Sequence, residues 1–332
     1  MTGLFVSVLV PIFRVEHYIE RCARSVLGQT YQNLEFVFVD DATDDSSMDI
    51  LNRILADYPN RLNDVHIIHH EWNRGLAAAR NTAVEACHGE FVFHVDSDDW
   101  VETDAIELMV EKQKATDADI ITAEAYDEKD GVATRHLTGG WNLQKTDLLT
   151  GILTYKVSTT IWRRLIRKRL YTINYIECDE CGSGGEDIQV FPRLVYYSKK
   201  VSGIPNIIYH YDRSNRCSIS NNVNKSIDTQ LQGLTSVRVM ASFFADKDPF
   251  LASLVAGLEV RNIHYRMRYN VVNRNKKGYC IFLRYMKESD SCYWSQVNWH
   301  KPYIRLCESH YYSMMLLIFV NRIINRVKAY IK

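Results

Sequence analysis

Four short apolar runs, each leading into a segment of helical period, constrain this chain's fold more than any other feature. Phe5-Val6-Ser7-Val8-Leu9-Val10, Leu34-Glu35-Phe36-Val37-Phe38-Val39, Val65-His66-Ile67-Ile68-His69 and Phe91-Val92-Phe93-His94-Val95 are rich in β-branched and aromatic residues and read as strands, the first and last of them buried. After the first, Val15, Tyr18, Ile19, Cys22, Ala23, Val26 and Leu27 recur at helical spacing until Gly28. A second helix is expected from about Ser47 to Asp57, and Asn73-Arg74-Gly75 turns into an Ala-rich helix from Leu76 to Cys87. Such alternation with short loops predicts a parallel, doubly wound α/β layer. Ligands of these layers lie outside the carboxyl ends of the strands, where Pro11, Asp41 and Asp96 to Asp99 fall. No GxGxxG follows the first strand, which argues against a dinucleotide-binding Rossmann domain.

The pattern continues with a helix from about Thr103 to Lys114 and a strand near Ile120-Ile121-Thr122. Polar, Gly-containing sequence from Tyr126 to Trp141 is expected to form a hairpin or a mobile loop. A helix is expected over Ile188 to Tyr197, after Gly182-Ser183-Gly184-Gly185 and Glu186-Asp187. Ile207-Ile208-Tyr209-His210-Tyr211 is a last strand before the polar loop Asp212 to Asn224. Beyond it the chain turns helical and basic, so the expected division is residues 1–220 and 221–332.

Lys plus Arg balances Asp plus Glu at 40 each, and no nucleic-acid partner is expected. The balance is uneven, with 14 basic against 3 acidic residues from Arg261 to Lys332. Within that tail, Met314 to Val320 is too short to span a bilayer. It continues through Arg322, Arg326 and Lys328 as a cationic amphipathic pattern. That pattern suits an anionic membrane surface, and equally a helix packed on its own domain or on a second copy of the chain. The 8 cysteines show no framework spacing, which fits a reducing cytoplasm, and Cys178 with Cys181 is a lone CxxC. The opening Met1 to Phe5 lacks a basic n-region, so no signal peptide is expected.

Asp96-Ser97-Asp98-Asp99 is the chemically loaded stretch. Carboxylates crowded at a strand end repel one another and lose solvation unless something positive joins them. Mg²⁺ or Mn²⁺ holding a diphosphate is one solution, because both prefer oxygen ligands and leave positions for phosphate. The alternative is that Asp98 or Asp99 caps a helix beginning near Thr103.

Taken together, the motifs resemble the inverting family-2 glycosyltransferases with a GT-A fold. The resemblance rests on Val6 to Phe13, Ser25 to Tyr31, Glu35 to Asp44 and Asn73 to Asn81. Asp96 to Asp99, Gly185-Glu186-Asp187, Tyr209-His210-Tyr211 and Ser218-Ile219-Ser220 complete it, in order, over roughly residues 5 to 220. Two positions depart from the family pattern. The usual Asp-Asp-Gly-Ser turn reads Asp40-Asp41-Ala42-Thr43, and the Asn that often follows the first-strand aromatic is Arg14. Neither removes a required charge.

The resemblance implies a Rossmann-like, mostly parallel sheet flanked by helices, then a mainly helical C-terminal region. It implies that Asp41 hydrogen-bonds a uracil base flanked by Pro11 and Phe13, and that Arg80 contacts the nucleotide or diphosphate. Asp96 and Ser97 belong to the nucleotide-sugar site; Asp96 faces ribose and metal, and Asp98 ligates Mn²⁺ or Mg²⁺. Asp99 is expected to point to the sugar or the neighbouring helix. Asp187 corresponds to the general base, with Glu186 orienting hydroxyls. His210, Arg213 and Arg216 lie where a loop closes over the diphosphate. Arg164 stands where relatives often carry a Lys, to hold the leaving group or as a solvated charge.

The expected activity is therefore metal-dependent, inverting transfer of a hexosyl or N-acetylhexosaminyl group from a UDP-sugar. The expected acceptor is a hydroxyl of a surface glycan or lipid-linked oligosaccharide, reached in the cytoplasm or at the inner face of the plasma membrane. The competing reading is a non-catalytic nucleotide-sugar-binding subunit, which would tolerate loss of Asp187.

Overall fold

A computed structural model describes residues 3–180, 185–215, 218, 226–288 and 311. The chain divides into two compact units, Met1–Lys225 and Ser226–Lys332. The first unit begins β1 Val6–Ile12, α1 Ile19–Leu27, β2 Leu34–Asp40, α2 Ser47–Leu55, a 3-10 turn Pro59–Asp64 and β3 Val65–His69. It continues with α3 Leu76–Ala86, β4 Phe91–His94, β5 Trp100–Val101, α4 Ala105–Thr116, β6 Ile120–Lys129 and β7 Val132–Arg135. α5 Lys145–Leu153, β8 Arg164–Arg167, α6 Arg169–Asn174, α7 Glu186–Tyr197 and β9 Val201–Asp212 complete it.

All nine strands join one sheet in the order β3-β2-β1-β4-β8-β6-β9-β5, with β7 on β6. β1, β2, β3 and β4 pair in parallel, and so do β6 and β9, whereas β8 is antiparallel to both neighbours. Every residue of β1 and β2 is buried because both faces are covered, which explains their unbroken apolar runs. Val6, Val8, Val10, Phe36 and Phe38 share one core with Ile19, Cys22, Val26, Leu51 and Met109 from the helices. α3 packs on β1 and β2, and its buried Ala77, Ala78, Ala79 and Ala83 let backbone approach sheet closely.

The 126–141 region is in part the expected hairpin. The first six residues of β6 are buried, the strand then emerges, and Asp130-Gly131 turns it into the fully exposed β7. Both turn residues have positive φ, 51° and 78°, the geometry that suits a right-twisted two-residue hairpin. Neither Asp98 nor Asp99 caps a helix, since α4 starts at Ala105 with Asp104 in the cap position.

The second unit carries α8 Ile227–Phe244, α9 Pro249–Val272 and α10 Lys276–Glu288. Ser226 caps α8 by accepting from the Thr229 N–H, and Asp248 caps α9 by accepting from Leu251. Leu234, Val260, Ile263, Met267, Val271, Tyr279 and Phe282 form its own core. No helix of the described residues is long and apolar enough to cross a membrane. The cationic segment from Met314 lies outside the described residues.

Candidate active site

Arg80 binds residues that lie more than a hundred positions along the chain from it, together with one much nearer. It is 3% exposed, on a turn of α3 that faces the carboxyl ends of the strands. Its Nη1 donates to Glu186 Oε1 at 2.9 Å and Asp187 Oδ1 at 2.7 Å, while Nη2 donates to Asp96 Oδ1 at 2.7 Å. One guanidinium thus binds the strand-end carboxylate and both acids of the first turn of α7. Both terminal nitrogens of Arg80, expected at the nucleotide or diphosphate, thus donate to carboxylates. Gly185 precedes α7 at φ 91°, a left-handed conformation that lets the chain turn straight into Glu186 and Asp187.

Three carboxylates against one cation leave the group short of positive charge. Burial first, then Glu186 and Asp96, push the Asp187 carboxyl up to about 7 against the opposing pull of Arg80. On the other side of Asp96, burial and the Asp96 charge push Asp98 up to about 6. Asn215 donates to Asp98 Oδ2 at 2.9 Å. Among the described residues the side-chain donors to this pair are Arg80, on Asp96 Oδ1, and Asn215, on Asp98 Oδ2. An all-oxygen pair with unrelieved negative charge fits Mg²⁺ or Mn²⁺, which bind through one or two carboxylates and keep positions for phosphate.

Asp99 is not part of that pair. It is fully buried, accepting from the Tyr209 hydroxyl at 2.7 Å and the Asp212 N–H at 2.8 Å, and burial with Asp98 raises its carboxyl well above the usual range. It locks β9 under the Asp96 turn. Tyr209 also sits 3.0 Å from the Asp96 N–H, and Ser97 is buried in the same turn.

Asp41 is placed at the end of β2 as expected, but its oxygens are filled. Oδ1 meets His70 Nδ1 at 2.7 Å and the Arg74 N–H at 2.8 Å; Oδ2 accepts from Asn73 Nδ2 at 3.0 Å and the Gly75 N–H at 2.7 Å. Four donors use the capacity of a carboxylate. Asp41 therefore holds the 70–75 loop against β2, and a base could reach it only by displacing one of them. Pro11 is buried in β1 and Phe13 lies just beyond, 37% exposed, with Arg14 over its ring at 5.1 Å.

His210 lies within β9, not on a closing loop, pinned between Glu128 at 2.8 Å and Glu102 at 2.9 Å and stacked on Trp100. Arg213 follows β9 and pairs with Asp127 at 3.2 Å. Arg216 lies outside the described residues, as does Cys181 of the CxxC pair. Arg164 is not a solvated charge: it is buried on the carbonyls of Gly139, Ser158 and Thr160, with Phe191 3.9 Å beneath, near enough for its charge to act on Asp187.

Sequence reasoning missed Arg21, which lies over Trp100 at 3.7 Å and donates to Asp212 at 2.5 Å and to the Asp98 carbonyl at 3.3 Å. It also missed Asn215 and the Tyr209 hydroxyl. The Tyr209-His210-Tyr211 triplet flagged the strand, but no spacing identifies which polar residue folds back onto Asp98. A cavity of about 370 Å³ adjoins Arg80 and His94, walled in part by Asn81, Tyr171 and Cys178. Burial holds His94 near 3, hence neutral.

The family model of glycosyl transferase family 2 matches residues 7–176, just over half of the chain. The chain belongs to that family, and its sheet, flanking helices and helical C-terminal region make it a GT-A type fold. Glycosyltransferase GlyA of Streptococcus pneumoniae serotype 4 is 30% identical over 217 residues, covering 62% of this chain and 30% of that protein. The chain thus spans under a third of that relative's length. Among solved structures, S. aureus TarS 1-349 in complex with UDP-GlcNAc superposes at a TM-score of 0.58 with 16% identity, covering 90% of this chain and 93% of that one. The mannosyltransferase PcManGT from Pyrobaculum calidifontis, in complex with GDP-Man and Mn2+, gives 0.55 with 15% identity, covering 95% and 86%.

Proposed function

We propose that this glycosyltransferase is metal-dependent and inverting, moving a hexosyl or N-acetylhexosaminyl group from a UDP-sugar to a hydroxyl of a growing glycan. The observation that carries this reading is the convergence of Asp96, Glu186 and Asp187 on Arg80. It sets a candidate base beside the carboxylates suited to a cation and diphosphate. When bound, Mg²⁺ or Mn²⁺ at Asp96 and Asp98 neutralises charge developing on the leaving nucleoside diphosphate. Asp187 takes the acceptor hydroxyl proton as oxygen bonds to the anomeric carbon and the bond to the leaving oxygen breaks. One displacement with one base inverts the centre. Arg80 fixes Asp187 through Oδ1, leaving the other oxygen for the acceptor proton. Glu186, held by the same nitrogen, orients acceptor or sugar hydroxyls.

The donor crevice lies at the carboxyl ends of β1, β2 and β4, between Phe13 and the Asp96 turn. Acceptors in surface polysaccharide or lipid-linked glycan assembly fit a protein working in the cytoplasm or against the inner face of the plasma membrane. The test is Asp187→Asn. It should leave UDP and metal affinity nearly unchanged while lowering turnover about 10²-fold or more. Full activity in that variant removes Asp187 as the base, and absence of transfer in the wild type with every UDP-sugar supplied favours a non-catalytic subunit.

A further inference from the structure

The edge of the sheet opposite the crevice carries a second cluster. Glu35 is the second residue of β2, His66 the second of β3, and His88 lies in the turn before β4. Because β1 to β4 run in parallel, these starts face away from the ends that carry Asp41 and Asp96. Glu35 is 2% exposed, and its two oxygens have different tasks. Oε1 accepts from Ser7 Oγ at 2.5 Å, the Gly89 N–H at 2.9 Å and the His88 N–H. Gly89 allows this approach, since a Cβ there would meet Ser7 Oγ at 2.4 Å. Oε2 faces the imidazoles, 3.1 Å from His88 Nδ1 and 3.6 Å from His66 Nε2.

The carboxylate oxygen and a nitrogen from each ring lie within 4.8 Å of one another. Tetrahedral bonds of about 2.0–2.1 Å place neighbouring ligand atoms about 3.3 Å apart, between the two distances at Oε2. Donors on Oε1 are the outer-shell contacts that fix a ligating carboxylate. The rings are 47% and 70% exposed, so an ion and a fourth ligand can reach them. Two imidazoles and one carboxylate favour zinc-like ions over the Mg²⁺ or Mn²⁺ that suit Asp96 and Asp98.

We propose that Glu35, His66 and His88 bind a zinc-class divalent cation that ties the starts of β2 and β3 to the turn before β4. The site is independent of the donor crevice and of the reading given for it. The test is titration of tag-free, metal-stripped full-length protein with Zn²⁺ by calorimetry and with Co²⁺ by visible absorption. One equivalent should bind with a tetrahedral Co²⁺ spectrum, and Zn²⁺ should raise the melting temperature. His66→Ala and His88→Ala should each weaken binding by at least about 100-fold, and together remove the melting shift. Both side chains are exposed enough for these variants to fold, which unchanged UDP binding would verify. Asp98→Ala should keep the Zn²⁺ site. No Co²⁺ spectrum in the wild type, or Zn²⁺ binding that survives the double histidine variant, overturns the proposal. Binding lost in Asp98→Ala would overturn it too, by placing the ion in the crevice.

Discussion

Arg80 is the residue on which this site depends, because among the described residues its guanidinium is the one that pairs directly with Asp96, Glu186 and Asp187. Arg80→Met would leave buried acids unpaired at a cost of about 3–5 kcal/mol, measurable by denaturant unfolding. Asp187 is expected to impose a pH limb: transfer should rise with pH through about 7, since only the carboxylate accepts the proton. Stability should move the other way. The folded chain keeps that proton to about 7, whereas the ordinary value is 3.8, so the Asp187 contribution is present at lower pH and lost as pH climbs across that window. Unfolding followed from pH 4 to 8 in wild type and Asp187→Asn separates this contribution from the rest. The two departures from the family pattern also have a structural meaning. Ala42 and Arg14 both have positive φ, 55° and 52°, where Gly and Asn are the favoured residues. Arg14 is held there by its N–H to Thr43 and a two-point contact with Asp44 at 2.6 Å. Ala42→Gly should therefore stabilise by about 0.5–1 kcal/mol, read as a higher melting temperature.

At the scale of elements, what could be read from the sequence follows how each strand is buried. β1, β2 and β4 were legible because strands buried along their whole length must be apolar throughout, whereas β3, half-buried or exposed at the sheet edge, showed only in its β-branched run; the Asp residues at the strand ends followed from topology. β8 was not, because Arg164-Leu165-Ile166-Arg167 reads as a surface segment. Arg164 is held by carbonyls and the Phe191 ring, and Arg167 by Glu90, Asp117 and Asp119 and the Phe91 ring, partners that no linear pattern shows. β9 extends six residues before the apolar run, through Gly203 and Pro205, which read as loop. The candidate base could be placed only by resemblance, since the guanidinium contact joining Asp187 to Asp96 has no trace in local spacing. Asp41 shows the opposite limit: its position was legible, but not the four donors that fill it. Those donors make the 70–75 loop a testable unit. Asp41→Ala should cost about 1–3 kcal/mol by leaving part-buried N–H groups without acceptors, and hydrogen exchange in residues 70–75 should accelerate.

For the whole molecule, the two compact units carry separate cores. Every described residue assigned to the donor site lies in the first, so residues 1–225 expressed alone should keep the nucleotide affinity of the full chain. That unit is proposed to hold a cation-dependent nucleotide site at Asp96 and Asp98. Its most direct test is calorimetric titration of UDP, with GDP and CDP alongside, into wild type and Asp98→Ala, each with and without Mn²⁺. The expected result is UDP binding that needs Mn²⁺ in the wild type and is lost in the variant. Equal affinity with and without Mn²⁺, or wild-type affinity in Asp98→Ala, would contradict it.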